Sequence, residues 1–216
     1  MTGLRSVLAA LLAAATLLAA GCGGGEAGGG AAGSPGAAEL APADAALFVS
    51  LSTDFQSEQW QAADALLDRF PSGDKLIGEV LGQLQAEGVD WEADVKPALG
   101  PEVGLVAFSF SESEASFVGF TQPQDGEKFD ALLAKSDQPL VTEEIDGWTV
   151  FSDEQASIDR FKAGREDGSL ADSETFQSAT DRLPGGGLAL LYVDGRSLIE
   201  QASAEGAEAK PGLEAV

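Results

Sequence analysis

Leu140 to Ile145 and Trp148 to Phe151 are short runs of strand-forming residues joined by the dipeptide Asp146-Gly147. A two-residue connection of this composition favours a type I′ turn, because both central residues need positive φ and these two tolerate it. Strands joined this way are antiparallel. Glu102 to Phe110 and Ala115 to Thr121 read as a second hairpin, with Val106, Phe108 and Phe110 on one side and the polar Ser111-Glu112-Ser113-Glu114 as its exposed turn. Ala46 to Ser52 reads as a further strand.

Between these runs the apolar residues change to helical spacing. Thr53, with Gln56 three residues on, reads as a capping box before Trp60, Ala63, Leu67 and Phe70, and Pro71 and Gly73 interrupt that helix. Leu76, Ile77, Val80, Leu81 and Leu84 form the stripe of the next helix, stopped at Gly88. Asp125 caps a helix carrying Phe129, Leu132 and Leu133. Ser152 and Gln155 read as another capping box, opening a helix with Ile158 and Phe161, and a further helix carries Phe176, Ala179 and Leu183. The expectation is an α+β fold, an antiparallel sheet built from hairpins with helices packed on one face.

Leu188 to Val193 is a last strand, followed by Asp194 and a helix with Leu198, Ile199 and Ala202. This strand–helix unit repeats the opening one: Pro42 and Pro184 stand before the two strands in similar positions. It reads as the start of a second copy of the module that the chain does not complete; the alternative is that the strand completes the first sheet. Gly206 to Val216 carries no structure signal. The expected organisation is a leader over 1–21, a Gly/Ala-rich tether over 22–38, a module over 39–184, and the incomplete repeat with its disordered tail over 185–216.

The leader has the order of an export signal: Arg5, an apolar run from Val7 to Leu18, then Ala19, Ala20 and Gly21 before Cys22, the only cysteine. The run is shorter than the ~20 residues a helix needs to span a bilayer. A cysteine directly after small residues resembles the lipobox of bacterial lipoproteins, in which the thiol takes a diacylglyceryl group and becomes the first residue of the mature chain. The position three before the cysteine is Ala19, where Leu is commonest, so simple secretion is the alternative. The expected location is the extracytoplasmic face of the cell membrane, held by lipid on Cys22. With that thiol used, no disulfide is available and the domain stands on its core alone.

The chain carries 36 acidic and 12 basic residues, for a net charge of −24, and no histidine. Removing Arg5 with the leader makes the mature chain more negative still. Nucleic acid is excluded as a partner, because binding it takes clustered Lys and Arg to displace counterions. Without histidine or a free thiol, Cys/His zinc sites and Ser–His or Cys–His nucleophile pairs are excluded as well. No cofactor, metal site or catalytic residue is expected.

Several segments together point to a family: Pro42-Ala43-Asp44-Ala45-Ala46-Leu47-Phe48-Val49 leading to Ser57-Glu58-Gln59-Trp60; Gly88-Val89-Asp90-Trp91-Glu92-Ala93-Asp94-Val95-Lys96-Pro97; Leu99-Gly100-Pro101-Glu102-Val103; and Gly168-Ser169-Leu170-Ala171-Asp172 with Phe176 and Leu183-Pro184. They resemble the bacterial domain-of-unknown-function family numbered 3352 over most of Glu39 to Ser203. The resemblance implies an exported or membrane-tethered protein, usually longer than this chain. It supplies no activity and no functional residues.

Three local clusters are candidate sites. Asp90, Glu92 and Asp94 stand beside Trp91; the local reading is a cap for a short helix, the chemical one a carboxylate pair, which a hydrolase needs ~5–10 Å apart. Glu143, Glu144, Asp146, Asp153 and Glu154 cluster around the second hairpin, but calcium takes six to eight oxygens and no Asp-x-Asp-x-Asp-Gly loop is present. Trp60, Trp91 and Trp148 are core or core-edge residues, or ligand-stacking ones. Gly185-Gly186-Gly187 precedes a strand and has no following Lys-Ser or Lys-Thr, so it is a turn rather than a phosphate loop. The leading functional expectation is a non-catalytic binding or envelope-associated module. The alternatives are a carrier of an apolar ligand between sheet and helices, and a carboxylate-based hydrolase.

Overall fold

A computed structural model describes residues 35–67, 69–70, 73–109, 117–136, 139–183 and 187–199, with backbone alone at 35, 73–74, 76–77 and 80. Cys22 and the leader lie outside the described residues, as do Phe110 and the turn after it. The fold is α+β. Six strands form one antiparallel sheet: β1 (Leu47–Ser52), β2 (Glu102–Ala107), β3 (Phe117–Thr121), β4 (Val141–Ile145), β5 (Trp148–Ser152) and β6 (Ala189–Val193), in the order β4-β5-β3-β2-β1-β6. Seven helical elements are α1 (Pro35–Leu40), α2 (Glu58–Leu67), α3 (Gly73–Ala86), α4 (Lys96–Ala98), α5 (Gly126–Leu133), α6 (Gln155–Glu166) and α7 (Glu174–Thr180). A π-helical turn, Trp91–Val95, runs into α4, a 3₁₀ turn, Leu170–Asp172, precedes α7, and a helical turn spans 195–199.

Both expected hairpins are present. Asp146 and Gly147 take φ of 51° and 80°, the positive values of a type I′ turn, between β4 and β5. β2 and β3 pair with Val106 opposite Val118 and Gly104 opposite Phe120. Side chains alternate across the sheet, and the register collects one set on one face: Phe48, Val106, Val118, Phe120, Trp148, Val150 and Leu190. Onto this face pack Leu40 and Ala41 of α1 and its C-terminal flank, Ile158 and Phe161 of α6, Leu170, and Phe176 of α7. Phe120 is the hub, with its ring 5.7 Å from Trp148 and 5.5 Å from Phe161. Each such fully buried side chain contributes roughly 1.5–3 kcal/mol. The opposite face is covered over part of its area, where Phe129 of α5 meets Phe151 at 5.6 Å.

The fold begins earlier than composition implies. Pro35 to Ala38, read as the end of the tether, lie in α1, and Ala37 and Ala38 are buried in the core. The reason is a buried carboxylate. Glu102, at the start of β2, accepts hydrogen bonds from the Ala37 N–H at 3.2 Å and from Ser50 Oγ at 2.7 Å. A carboxylate in the first turn of a helix satisfies donors that have no intrahelical partner. The small residues are needed too, since a Cβ on Gly36 would stand 3.3 Å from the Trp148 ring.

Two helix starts differ from the capping boxes. α2 begins at Glu58 rather than after Thr53, and Trp60 N–H reaches Ser57 Oγ at 3.4 Å. Thr53 is buried, and its hydroxyl donates across to the Gly100 carbonyl. Likewise α6 begins at Gln155 while Ser152 remains in β5, its hydroxyl donating to the Phe117 carbonyl at 2.8 Å. Both hydroxyls are claimed by partners distant in sequence. Asp125 does cap α5, accepting from Lys128 N–H. Of the α3 stripe, Leu81 and Leu84 are half-buried, while the side chains of Leu76, Ile77 and Val80 lie outside the described set. Leu188 to Val193, read as the opening of a second module, contributes β6 to this sheet, where it pairs with β1, Phe48 opposite Tyr192.

Candidate functional site

The three carboxylates beside Trp91 build a turn. Asp90 Oδ1 accepts from Ala93 N–H at 2.8 Å, capping the π-helical segment. Asp94 accepts the Asp90 N–H at 2.8 Å and pairs with the Lys135 ammonium, which also donates to the Gly88 carbonyl. Glu92 pairs with Lys96 at 2.6 Å. The Lys135 hydrogen bond, helped by the Asp90 N–H, holds the Asp94 carboxyl below the usual range. A general acid needs the opposite direction. Asp194 is also held low, chiefly by the Ser197 hydroxyl.

The acids around the second hairpin are divided rather than gathered. Glu143 of β4 pairs with Lys162 at 2.7 Å, and Asp146 in the turn pairs with Arg165 at 2.7 Å. A third α6 cation, Arg160, pairs with Asp44 and lies 4.5 Å from the Phe108 ring centroid. α6 thus presents a row of cations to carboxylates from three separate segments, and the Glu143 hydrogen bond raises the Lys162 pKa. Among the described residues, no group of three or more His, Cys, Asp or Glu side chains is placed to hold a metal ion.

The tryptophans separate into two environments. Trp148 belongs to the core. Trp60 and Trp91 are half-buried on either side of Phe55, each ring 5.1 Å from it, with the Lys96 ammonium 5.9 Å from the Phe55 centroid. Trp60 Nε1 donates to the Ser52 carbonyl at 2.9 Å. This aromatic group ties the loop after β1 to the turn before β2. Near α5, an open surface hollow of ≈ 510 Å³ is lined by Asp130, Leu133, Ser136, Pro139 and Leu140 among others. Its lining mixes polar and apolar groups, and it is an open hollow where α5 meets the segment leading into β4, with Thr142 of β4 at its margin.

The surface is least ordinary along β6. Eight large apolar side chains are exposed among the described residues: Leu66, Phe70, Phe117, Leu183, Leu191, Val193, Leu198 and Ile199. Five of the eight fall between 183 and 199, on β6 or within six residues of it in sequence. Leu191 is 53% exposed and Val193 40%, both on the sheet face opposite the main core. The two edges of the sheet differ in kind. β4 reads Val-Thr-Glu-Glu-Ile and β6 reads Ala-Leu-Leu-Tyr-Val. Charges along an edge discourage further strand pairing; β4 carries them and β6 does not. Sequence reading finds β6 as a strand but not as an edge, since strand order depends on the pairing of β1 with β2 and β6, which no local signal specifies.

Comparison with family models, with curated proteins and with solved structures finds no match to this chain.

Proposed function

We propose that this protein is a non-catalytic docking module, lipid-anchored through Cys22 on the extracytoplasmic side of the membrane, that engages its partner through the apolar β6 edge. The observation carrying this reading is that exposed Leu191 and Val193 lie on an uncharged edge strand, with exposed Leu183, Leu198 and Ile199 close to it in sequence, in an otherwise acidic domain. Exposed large apolar side chains concentrated in one region mark interaction sites in soluble domains. The lipobox-like Ala19-Ala20-Gly21-Cys22 supports the location. The resemblance to the 3352 family agrees with an exported chain and adds no chemistry. The local pairing of Asp90, Glu92, Asp94, Glu143 and Asp146 favours docking over carboxylate hydrolysis.

Site-specific photo-cross-linking in intact cells tests it. A photoreactive residue at position 191 is expected to give a discrete cross-linked product, whereas one at Thr142 of β4 gives none. Equal products from both edges, or none from 191, would remove the docking edge.

A further inference from the structure

We infer that β6 pairs with β6 of a second copy of this chain, antiparallel about a two-fold axis, with Leu191 opposite its counterpart. This rests on the docking reading and names the partner.

The backbone pattern sets the register. Asp194 N–H donates to the Ala46 carbonyl, and Ser52 N–H donates to the Leu188 carbonyl. The polar groups of residues 188 and 194 therefore face β1, and by alternation so do those of 190 and 192. The N–H and C=O groups of Ala189, Leu191 and Val193 point away from β1, along the outer edge. A two-fold axis at Leu191 places all three against the same three of the second copy: Leu191 against Leu191, and Ala189 against Val193 twice. Any other centre leaves part of the strand without a partner.

The side chains are self-complementary in that register. Leu190 comes opposite Tyr192 on the core side of the sheet, while Leu191 meets itself and Ala189 meets Val193 on the other. Every pair is free of charge, and there is no Pro or Gly in the strand. An isologous contact of this type repeats each interaction and closes at two copies.

Charge makes this edge the least repulsive approach for two copies. The chain has a net charge of −24, so most approaches of two copies are repulsive. From Leu188 to Ile199 the only charged residues are Asp194 and Arg196, which cancel. The locally neutral edge is thus also the apolar one. A basic partner would favour the acidic surface elsewhere, whereas a second copy brings to this edge a strand as uncharged and apolar as β6 itself.

The test uses the full chain with Cys22→Ala, so that each variant carries one thiol. In the proposed register Leu191→Cys faces its own counterpart at a Cα separation of ~5.5 Å, within disulfide reach. Val193→Cys lies four residue steps along the pair from its counterpart, ~13 Å away and outside that reach. Mild oxidation is expected to give at least about tenfold more covalent dimer from Leu191→Cys than from Val193→Cys. The Cys22→Ala parent is expected to sediment as a dimer at micromolar concentration, and Leu191→Lys as a monomer with unchanged circular dichroism. A monomeric parent, or equal cross-linking from both cysteine variants, overturns the pairing. If the parent is monomeric but position 191 still cross-links to a different envelope protein in cells, the pairing is overturned and the docking reading stands; loss of both removes both.

Discussion

Ser50 Oγ donates a 2.7 Å hydrogen bond to Glu102 Oε1 in the buried core, joining neighbouring strands from positions 52 residues apart. The other carboxylate oxygen takes the Ala37 N–H, so one acid ties β1, β2 and α1 together. Glu102→Ala is expected to leave two buried donors without their acceptor and to cost about 2–6 kcal/mol, at 1–3 kcal/mol for each such group. Glu102→Gln keeps the shape and an acceptor oxygen and is expected to cost less. Urea unfolding of both variants checks the order; an Ala variant as stable as the parent would show that the carboxylate does not hold α1.

Gly104 on β2 gives the Phe120 ring its place. A Cβ there would stand 2.1 Å from Phe120 Cε2, far inside contact distance. Gly104→Ala therefore has to displace the hub of the core, with an expected loss of about 1–3 kcal/mol. Gly126→Ala, where an added Cβ meets nothing within 4 Å, is the matched control. The difference in urea midpoint between the two is the measurement.

Asp94 and Lys162 give the domain opposite pH responses. The Asp94 pKa is lowered, so its pairing with Lys135 supports the fold fully above the unfolded value of about 3.9 and is lost as pH falls through the lower folded value. The Lys162 pKa is raised, so its pairing with Glu143 supports the fold below about 10.4 and is lost as pH rises through the higher folded value. Both groups touch solvent, so the effects are small and salt weakens them. Carboxyl-carbon NMR is expected to show Asp94 titrating below the ordinary aspartate value and to move it upward in Lys135→Met.

The parts of the fold legible in sequence are those whose cause is local. The β4–β5 hairpin follows from Asp146-Gly147, the start of α5 from Asp125, and the buried face of α6 from the spacing of Ile158 and Phe161. The parts that were not legible depend on distant partners. Thr53 and Ser152 look like helix caps until Gly100 and Phe117 take their hydroxyls. Pro35 to Ala38 look like tether because Gly and Ala are linker residues, and only Glu102 and Trp148 explain why small residues are buried there. The uncharged sequence of β6 was visible, yet it becomes a candidate site only once the sheet order leaves it at an edge.

The proposed membrane anchor rests on Cys22, and the mass of the mature N-terminus tests that proposal most directly. Intact and peptide mass spectrometry of the chain recovered from the membrane fraction is expected to show a first residue Cys22 carrying a diacylglyceryl group, with Cys22→Ala shifted to the soluble fraction. An unmodified Cys22, or Cys22→Ala protein still held in the membrane, would contradict the lipid-anchored reading.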